Sequence, residues 1–358
     1  MLTRYEDVRA AFADPRLSAD AGRPGYPHVT AASAVGREML PNFMVMDDPE
    51  HQRLRSLFLA DFMPRPLEGR RAAVQAIVDD RIDALMAAGQ PADLVQLLAR
   101  PIPALVLAEI MGLERDEQGA LLAHVLVILR RDSSSEAAAA ANRALIDFLD
   151  SWIERKLAHP GDDMISRLAT QVSAGMLERR DVLGCVRQLF LAGQDSTSST
   201  LALGAFLLLE HPGQAAILRA RDVPSLWAGA VDEIVRFLSV THLGRRRVAA
   251  GDLEIGGQAI RSGEGLILAE NLANRDPDVF PEPDGFDVFR ANSRTHLGFG
   301  HGVHHCLGVH LARMELTIGL SNLFRRLPEL RLSCSREVLK FQDDLTIYGV
   351  EALPVAWE

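Results

Sequence analysis

Lysine is almost missing from this chain. Lys156 and Lys340 are the only two among 38 cationic side chains, against 48 carboxylates and a formal net charge of −10 over 358 residues. Any cationic surface must therefore be built from arginine, and the acidic balance excludes broad nucleic-acid binding, which needs a basic field against phosphate. Cysteine is equally sparse. Cys185, Cys306 and Cys334 lie far apart in sequence, so neither a disulfide framework nor a Cys-x-x-Cys pair can be drawn, a usage that suits a reducing compartment. No run reaches about 18 apolar residues, so no membrane span is expected. The start "MLTRYEDVRAAF" has no apolar stretch of the signal-peptide kind. Internal repeats are absent, and low complexity stops at the short "EAAAAA" of residues 136–141. The expectation is a soluble, acidic, cytoplasmic chain of ordinary globular composition, 48% hydrophobic and 24% charged.

What is there is mostly helical. "RYEDVRAAFADP" reads as a short helix ended before Pro15, and "DPEHQRLRSLFLADF" as another with an acidic start. Residues 19–45, rich in Gly, Pro, Ser and Ala, read as a long loop of the kind that often covers a site. Further helices fit 68–88, 96–111, 115–130, 135–158, 162–173, 214–220 and 224–238. The longest pattern runs from about Glu178 to Glu210 and stops at His211-Pro212. At 1.5 Å per residue it spans roughly 50 Å, long enough to cross the middle of the molecule. After residue 240 the pattern changes to short β-favouring runs broken by "GG" and "SGEG". The fold class expected is mainly α with small β regions at about 240–270 and 331–356, in one domain over 1–358.

Four features carry chemistry. "AGQDSTSST", residues 192–200, puts seven polar residues inside the apolar central helix. Their hydroxyls can bond carbonyls one turn back, Gly193 leaves room for something to approach the backbone, and Gly193, Ser196, Thr197 and Thr200 share one face. Flanks as apolar as "LALGAFLLL" favour a local polar groove over a solvent face. Glu233 and Arg236 in "DEIVRF" are spaced i, i+3, which on spacing alone reads as an ordinary surface ion pair. His51 and Arg55 in "HQRLR" share a helical face, ordinary by itself, that with Arg247 could meet an anion.

The fourth is "GFGHGVHHCLGVHLARME", residues 298–315. One reading makes His301, His304, Cys306 and His310 zinc ligands, but a single thiolate with glycines packed before it is an odd arrangement for that. The other makes the glycines a tight loop close to a flat cofactor, with Cys306 at a helix start where backbone N–H groups favour thiolate. A lone cysteine thiolate is a known axial ligand of haem iron. Covalent c-type attachment is excluded because Cys-x-x-Cys-His is absent.

At this point the residues resemble the cytochrome P450 family, of the soluble bacterial type. The family's haem-loop pattern Phe-x-x-Gly-x-His/Arg-x-Cys-x-Gly is met by Phe299, Gly302, His304, Cys306 and Gly308. Its Glu-x-x-Arg motif is met by Glu233 and Arg236 with Arg290 as the partner, and its central-helix motif by Ala192, Gly193, Gln194 and Asp195. "HQRLR" is similar to the family's His-x-x-x-Arg, and Arg247 stands at its propionate-binding arginine. The motifs keep the family's order over residues 4–358. Two departures stand out: the family usually carries a further segment before "TRYEDVRAAF", and its central-helix threonine is here Ser196, followed by Thr197.

The resemblance implies a haem-thiolate monooxygenase with haem b, a long central helix over the haem and a cysteine-ligand loop beneath it. It implies Cys306 as iron ligand, and His51, Arg55, Ala192, Arg247, Phe299, His304 and Gly308 about the haem. Asp195, Ser196 and Thr197 would relay protons, and Glu233, Arg236 and Arg290 would form a buried structural triad. A small organic substrate would meet Leu189, Ala192, Val240, Leu243, Leu345, Thr346, Ile347 and the 22–45 loop. No flavin or iron–sulfur region is present, so electrons would come from a ferredoxin and ferredoxin reductase, with Arg313 as a docking cation. The alternatives are a nitric-oxide-reductase-like or oxidative-coupling member of the family, and a non-catalytic haem-binding relative.

Overall fold

The central helix forms as its apolar pattern predicts. In the computed structural model, which describes residues 1–28, 40–114, 117–129, 134–343 and 346–357, it runs unbroken over Arg179–Glu210, 32 residues, and ends at His211-Pro212. The polar stretch inside it does not break it, because Ser196, Ser198 and Thr200 donate back to the carbonyls of Ala192, Asp195 and Ser196 at 2.9, 3.1 and 2.7 Å.

Around it the described helices in chain order are α1 Tyr5–Ala13, α2 Glu50–Leu59, α3 Pro64–Ala87, α4 Pro101–Met111, α5 Gln118–Leu129, α6 Ser135–Ala158 and α7 Met164–Ser173. The central helix is α8, followed by α9 Pro212–Arg221, α10 Pro224–Leu238, the short α11 Glu270–Ala273 and α12 Val309–Arg326. The single helix expected over 96–111 is instead a π turn at Val95–Ala99 followed by α4. Pro101, which has no N–H to donate, starts the new helix. Helices α4, α6, α7, α10 and α12 all pack on α8, and one apolar core runs through all of them.

The β portion is wider than the sequence suggests. A three-stranded sheet has the order β1 (Leu17–Ser18), β3 (Arg245–Ala249), β6 (Gly265–Leu268), and a second has the order β2 (Ala92–Asp93), β8 (Pro354–Ala356), β7 (Arg331–Leu332). A hairpin joins β4 (Leu253–Ile255) to β5 (Gln258–Ile260) through Gly256 and Gly257, both at positive φ, as a tight two-residue turn requires. Strands β1 and β2, outside the expected β regions, are two residues long and carry no alternation that a sequence could show. The β region ends at Leu268, and residues 270–273, at the edge of the expected 240–270 region, form α11. Leu2 makes a parallel bridge to Leu268.

The second half is tied together by a buried ion network. Glu233 and Arg236, both 0% exposed, pair through two bonds of 2.7 and 2.8 Å, and Arg290 reaches the same carboxylate at 3.1 Å. The surface-pair expectation from spacing is therefore corrected: the i, i+3 pair points into the core. Arg236 also donates to the carbonyls of Asn274, Pro283 and Gly285, and Arg290 to those of Pro281, Glu282 and Gly285. Two guanidinium groups thus organise the irregular segment 274–290 against α10. Removing one partner leaves buried charge unpaired, so Glu233→Ala is expected to cost about 3–5 kcal/mol. Chemical denaturation is the measurement, with the isosteric Glu233→Gln expected to be only partly rescued.

Candidate functional site

The cysteine loop hangs between α10 and α12. Gly300 and Gly302 have φ of +71° and +72°, and a Cβ on Gly302 would sit 2.5 Å from the carbonyl oxygen of Phe12. Glycine is needed there both for the turn and for seating the loop on α1. The amide of Cys306 donates to the carbonyl of Phe299 at 2.9 Å, which closes the loop just before α12. Burial pushes the Cys306 thiol up, while Arg245, the Gly308 amide, Arg55 and Arg313 oppose that. The sulfur therefore sits in a positive field with a backbone donor, the surroundings a metal-bound thiolate needs. Among the described residues no group of three or more His, Cys, Asp or Glu side chains could hold a metal ion, so the zinc reading of the four-residue cluster fails. His310 is exposed on α12, and His301 and His305 are half-buried in the loop.

Beside the loop two histidines and two arginines gather. The rings of His51 on α2 and His304 lie 4.1 Å apart. Arg55, one turn after His51, donates to the carbonyl of His305 at 2.6 Å, and Arg247 on β3 is buried with its guanidinium over Phe12. None of Arg55, Arg247 and His304 has a carboxylate at ion-pair distance among the described residues. Burial, with Arg247 and His51 next, pushes His304 down to about 3, and burial likewise lowers Arg55 and Arg247. The Nε2 atom of His51 is buried without a partner. Uncompensated buried cations are costly unless an anion joins them. The cluster suits a compact dianion such as two carboxylates, and its neighbour Cys306 suits an iron ligand. The residues present fit a haem.

The central helix carries its own set of polar side chains. Gln188, Ala192 and Asp195 recur at i, i+4 and i+7, with the Gln188 amide 3.4 Å from the sulfur of Met44. The room left by Gly193 is taken by Leu107 of α4, whose methyl a Cβ there would meet at 2.9 Å, so the approach expected at that glycine is helix packing. The Gln194 side chain donates to the carbonyl of Arg100 at 2.6 Å. Burial pushes Asp195 up to about 6, with Arg100 partly opposing, so this carboxyl changes charge near neutrality. Thr197 is buried, and Ser196 spends its hydroxyl on Ala192.

Of the expected pocket residues, Val240 is buried, and its carbonyl accepts from the Tyr348 amide at 2.7 Å, which draws 239–244 against 346–348. Leu189, Leu243 and Ile347 are half-buried and Thr346 is exposed. Leu345, and residues 29–39 of the 22–45 loop, lie outside the described residues. Phe299 is half-buried between the ring of His296 and the guanidinium of Arg313. Arg313 corrects an expectation: it is turned inward, 23% exposed, and paired with Asp232 at 2.8 Å, which disqualifies it as a free docking cation. Sequence reasoning reached Met44 only as part of the 22–45 loop and passed over Gln188 and Arg100. It also passed over Glu315, a buried carboxyl on α12 pushed up to about 8 with one oxygen unpartnered. No motif marked these residues, and only burial reveals them.

A family profile described as Cytochrome P450 matches residues 225–340. Over its whole length the chain is 41% identical to cytochrome P450 GfsF of Streptomyces halstedii, covering 86% of that protein. It is 42% identical to cytochrome P450-SU2 of Streptomyces griseolus, covering 87% of it. The crystal structure of GfsF superposes with a TM-score of 0.96 over 99% of this chain and 89% of that one. That of the mycinamicin VIII C21 methyl hydroxylase MycCI of Micromonospora griseorubida, 32% identical, gives 0.90 over 99% and 90%.

The raised Asp195 has a measurable sign. A carboxyl moved from 3.8 to about 6 on folding keeps its proton longer in the native state. Native stability then declines as pH rises from about 4 to about 6 and stays lower above that. Asp195→Asn, neutral throughout, is expected to be more stable than wild type by up to ~3 kcal/mol at pH 7.5 and by only about 1 kcal/mol at pH 4.5. Thermal denaturation at the two pH values checks this.

Proposed function

The chain belongs to the cytochrome P450 family, and on that premise we propose that it inserts one oxygen atom of O2 into a small organic substrate of secondary metabolism. Haem b is the resident cofactor in this reading, and a ferredoxin with its reductase supplies the electrons. The observation that carries it is one thiol-bearing loop beside a cluster of two histidines and two arginines, in which Arg55 and Arg247 have no carboxylate at ion-pair distance among the described residues, together with a central helix that holds a titratable carboxyl.

Cys306 would ligate the iron, with Phe299 and Gly308 shaping the loop about it. His51, Arg55, Arg247 and His304 would hold the two propionates by charge-assisted hydrogen bonds. Bound haem supplies the iron centre at which dioxygen is activated, and a thiolate ligand favours O–O cleavage. The chain's own residues then move protons and place the substrate. Asp195, able to take and give a proton near neutrality, would deliver protons inward from the Arg100 side, with Ser196 or Thr197 as the hydroxyl step. Ala192 leaves the space over the cofactor open, and Gln188, Met44, Leu189, Val240, Leu243, Thr346 and Ile347 are assigned to the substrate wall.

Hydroxylation is favoured over the nitric-oxide-reductase-like reading because Asp195 supplies the acid that branch lacks. The relatives bearing hydroxylase names, such as MycCI, act on natural products, which supports the substrate class. Among the described residues no single helix is long and apolar enough to cross a membrane, consistent with placing the activity in the cytoplasm. With Arg313 paired inward, the ferredoxin would dock on the remaining face of the cysteine loop, where Val303 is 58% exposed.

The test is spectroscopic first. The reduced, carbon-monoxide-treated protein is expected to show the thiolate-type Soret band, and Cys306→Ser to lose it while keeping its circular dichroism. With a ferredoxin system, product mass should rise by one oxygen, and Asp195→Asn should lower turnover by about 10²-fold or more at unchanged haem content. Loss of two hydrogens from the substrate would indicate coupling, and reduction by NADH alone would indicate the nitric-oxide-reductase-like chemistry.

A further inference from the structure

His51 has a partner that the propionate assignment does not require. Asp48, three residues earlier, sets Oδ1 2.8 Å from Nδ1 of His51, across the first turn of α2. The imidazole is 3% exposed and the Asp48 carboxyl 49% exposed. The other ring nitrogen, Nε2, is buried with no partner, and the ring faces His304. From the packed elements His304 itself meets Arg247 on β3, His51 and Arg55 on α2, and the carboxylate of Asp47.

The proton count decides what this pair can do. With its Nδ1–H donated to Asp48, a neutral His51 has a lone pair at Nε2, which repels a carboxylate oxygen. Only a ring with both nitrogens protonated can donate to Asp48 and at Nε2 together.

We propose that Asp48 is a positioning residue for the haem: it fixes the His51 ring with Nε2 toward the cofactor's carboxylates and supplies the charge that keeps the ring a donor. This rests on the haem reading above. Asp48 has a second, structural bond, accepting from the Gln52 amide at 3.1 Å. Asn in its place keeps that helix cap and the acceptor oxygen for Nδ1 but removes the charge, so Asp48→Asn isolates the electrostatic part.

The experiment measures transfer of haem from the holoprotein to an excess of a haem-scavenging apoprotein, followed at the Soret band at neutral pH. Asp48→Asn is expected to lose haem about five- to tenfold faster than wild type, with the melting temperature of the haem-free protein unchanged. Asp48→Ala should be at least as fast. In a His51→Ala background neither substitution should add anything, because the two residues act as one unit. Unchanged haem loss in Asp48→Asn and Asp48→Ala, or equal acceleration with and without His51, overturns the proposal. A wild-type protein that binds haem shows that any such failure belongs to Asp48 alone. A wild-type protein that binds none overturns the haem reading, and this inference with it.

Discussion

One buried carboxylate organises the half of the molecule that holds the cysteine. Glu233 sits in the core between two guanidinium groups, and its pairing with Arg236 and Arg290 offsets the cost of taking three charges out of water. The remaining arginine N–H groups are spent on carbonyls of a segment with almost no regular structure of its own. The network extends to the cysteine loop through Asn274, whose carbonyl accepts from Arg236 and whose side-chain oxygen accepts from the Leu297 amide at 2.7 Å. An irregular chain is thus held in one shape by side chains, and the loop inherits its starting point from them.

The cofactor side follows the opposite rule. Where Glu233 has its counterions, Arg55 and Arg247 have none at ion-pair distance among the described residues. In one region satisfied charge makes structure, and in the other unsatisfied charge makes a binding site. The two differ in what they can tolerate: the triad works only if complete, whereas the cation cluster is a debt that an anionic guest settles. Asp195 is a third case, a carboxyl kept half-desolvated on an apolar helix, where burial itself brings its titration close to neutrality.

Much of this was legible in the sequence. The central helix declared itself by length and by His211-Pro212, and the cysteine loop by glycines at fixed offsets from Phe299 and Cys306. The polar run 194–200 was visible as an anomaly, and its hydroxyl back-bonds follow from chemistry that the sequence states. Other features were not legible because they depend on partners distant in the chain. Strands of two residues such as Leu17–Ser18 exist only because β3 is beside them. Gly193 looked like an opening and is a contact with Leu107. Arg313 looked like a surface cation and is bound to Asp232, 81 residues away. Glu233 and Arg236 show the limit most clearly: i, i+3 spacing is the same on a surface and in a core, and spacing alone cannot say which.

The seating of Gly302 on Phe12 also has a temporal meaning. The two residues are 290 positions apart, as are Tyr5 and Thr295, which share a hydrogen bond of 2.6 Å. Contacts of such separation repay their loop-closure entropy only once most of the intervening chain is ordered. On the ribosome α1 emerges long before the cysteine loop. The nascent chain therefore exposes His51 and Arg55 well ahead of the thiol. Joining the two sides of the site is then a late step, coupled to closing the circle between α1 and the cysteine loop.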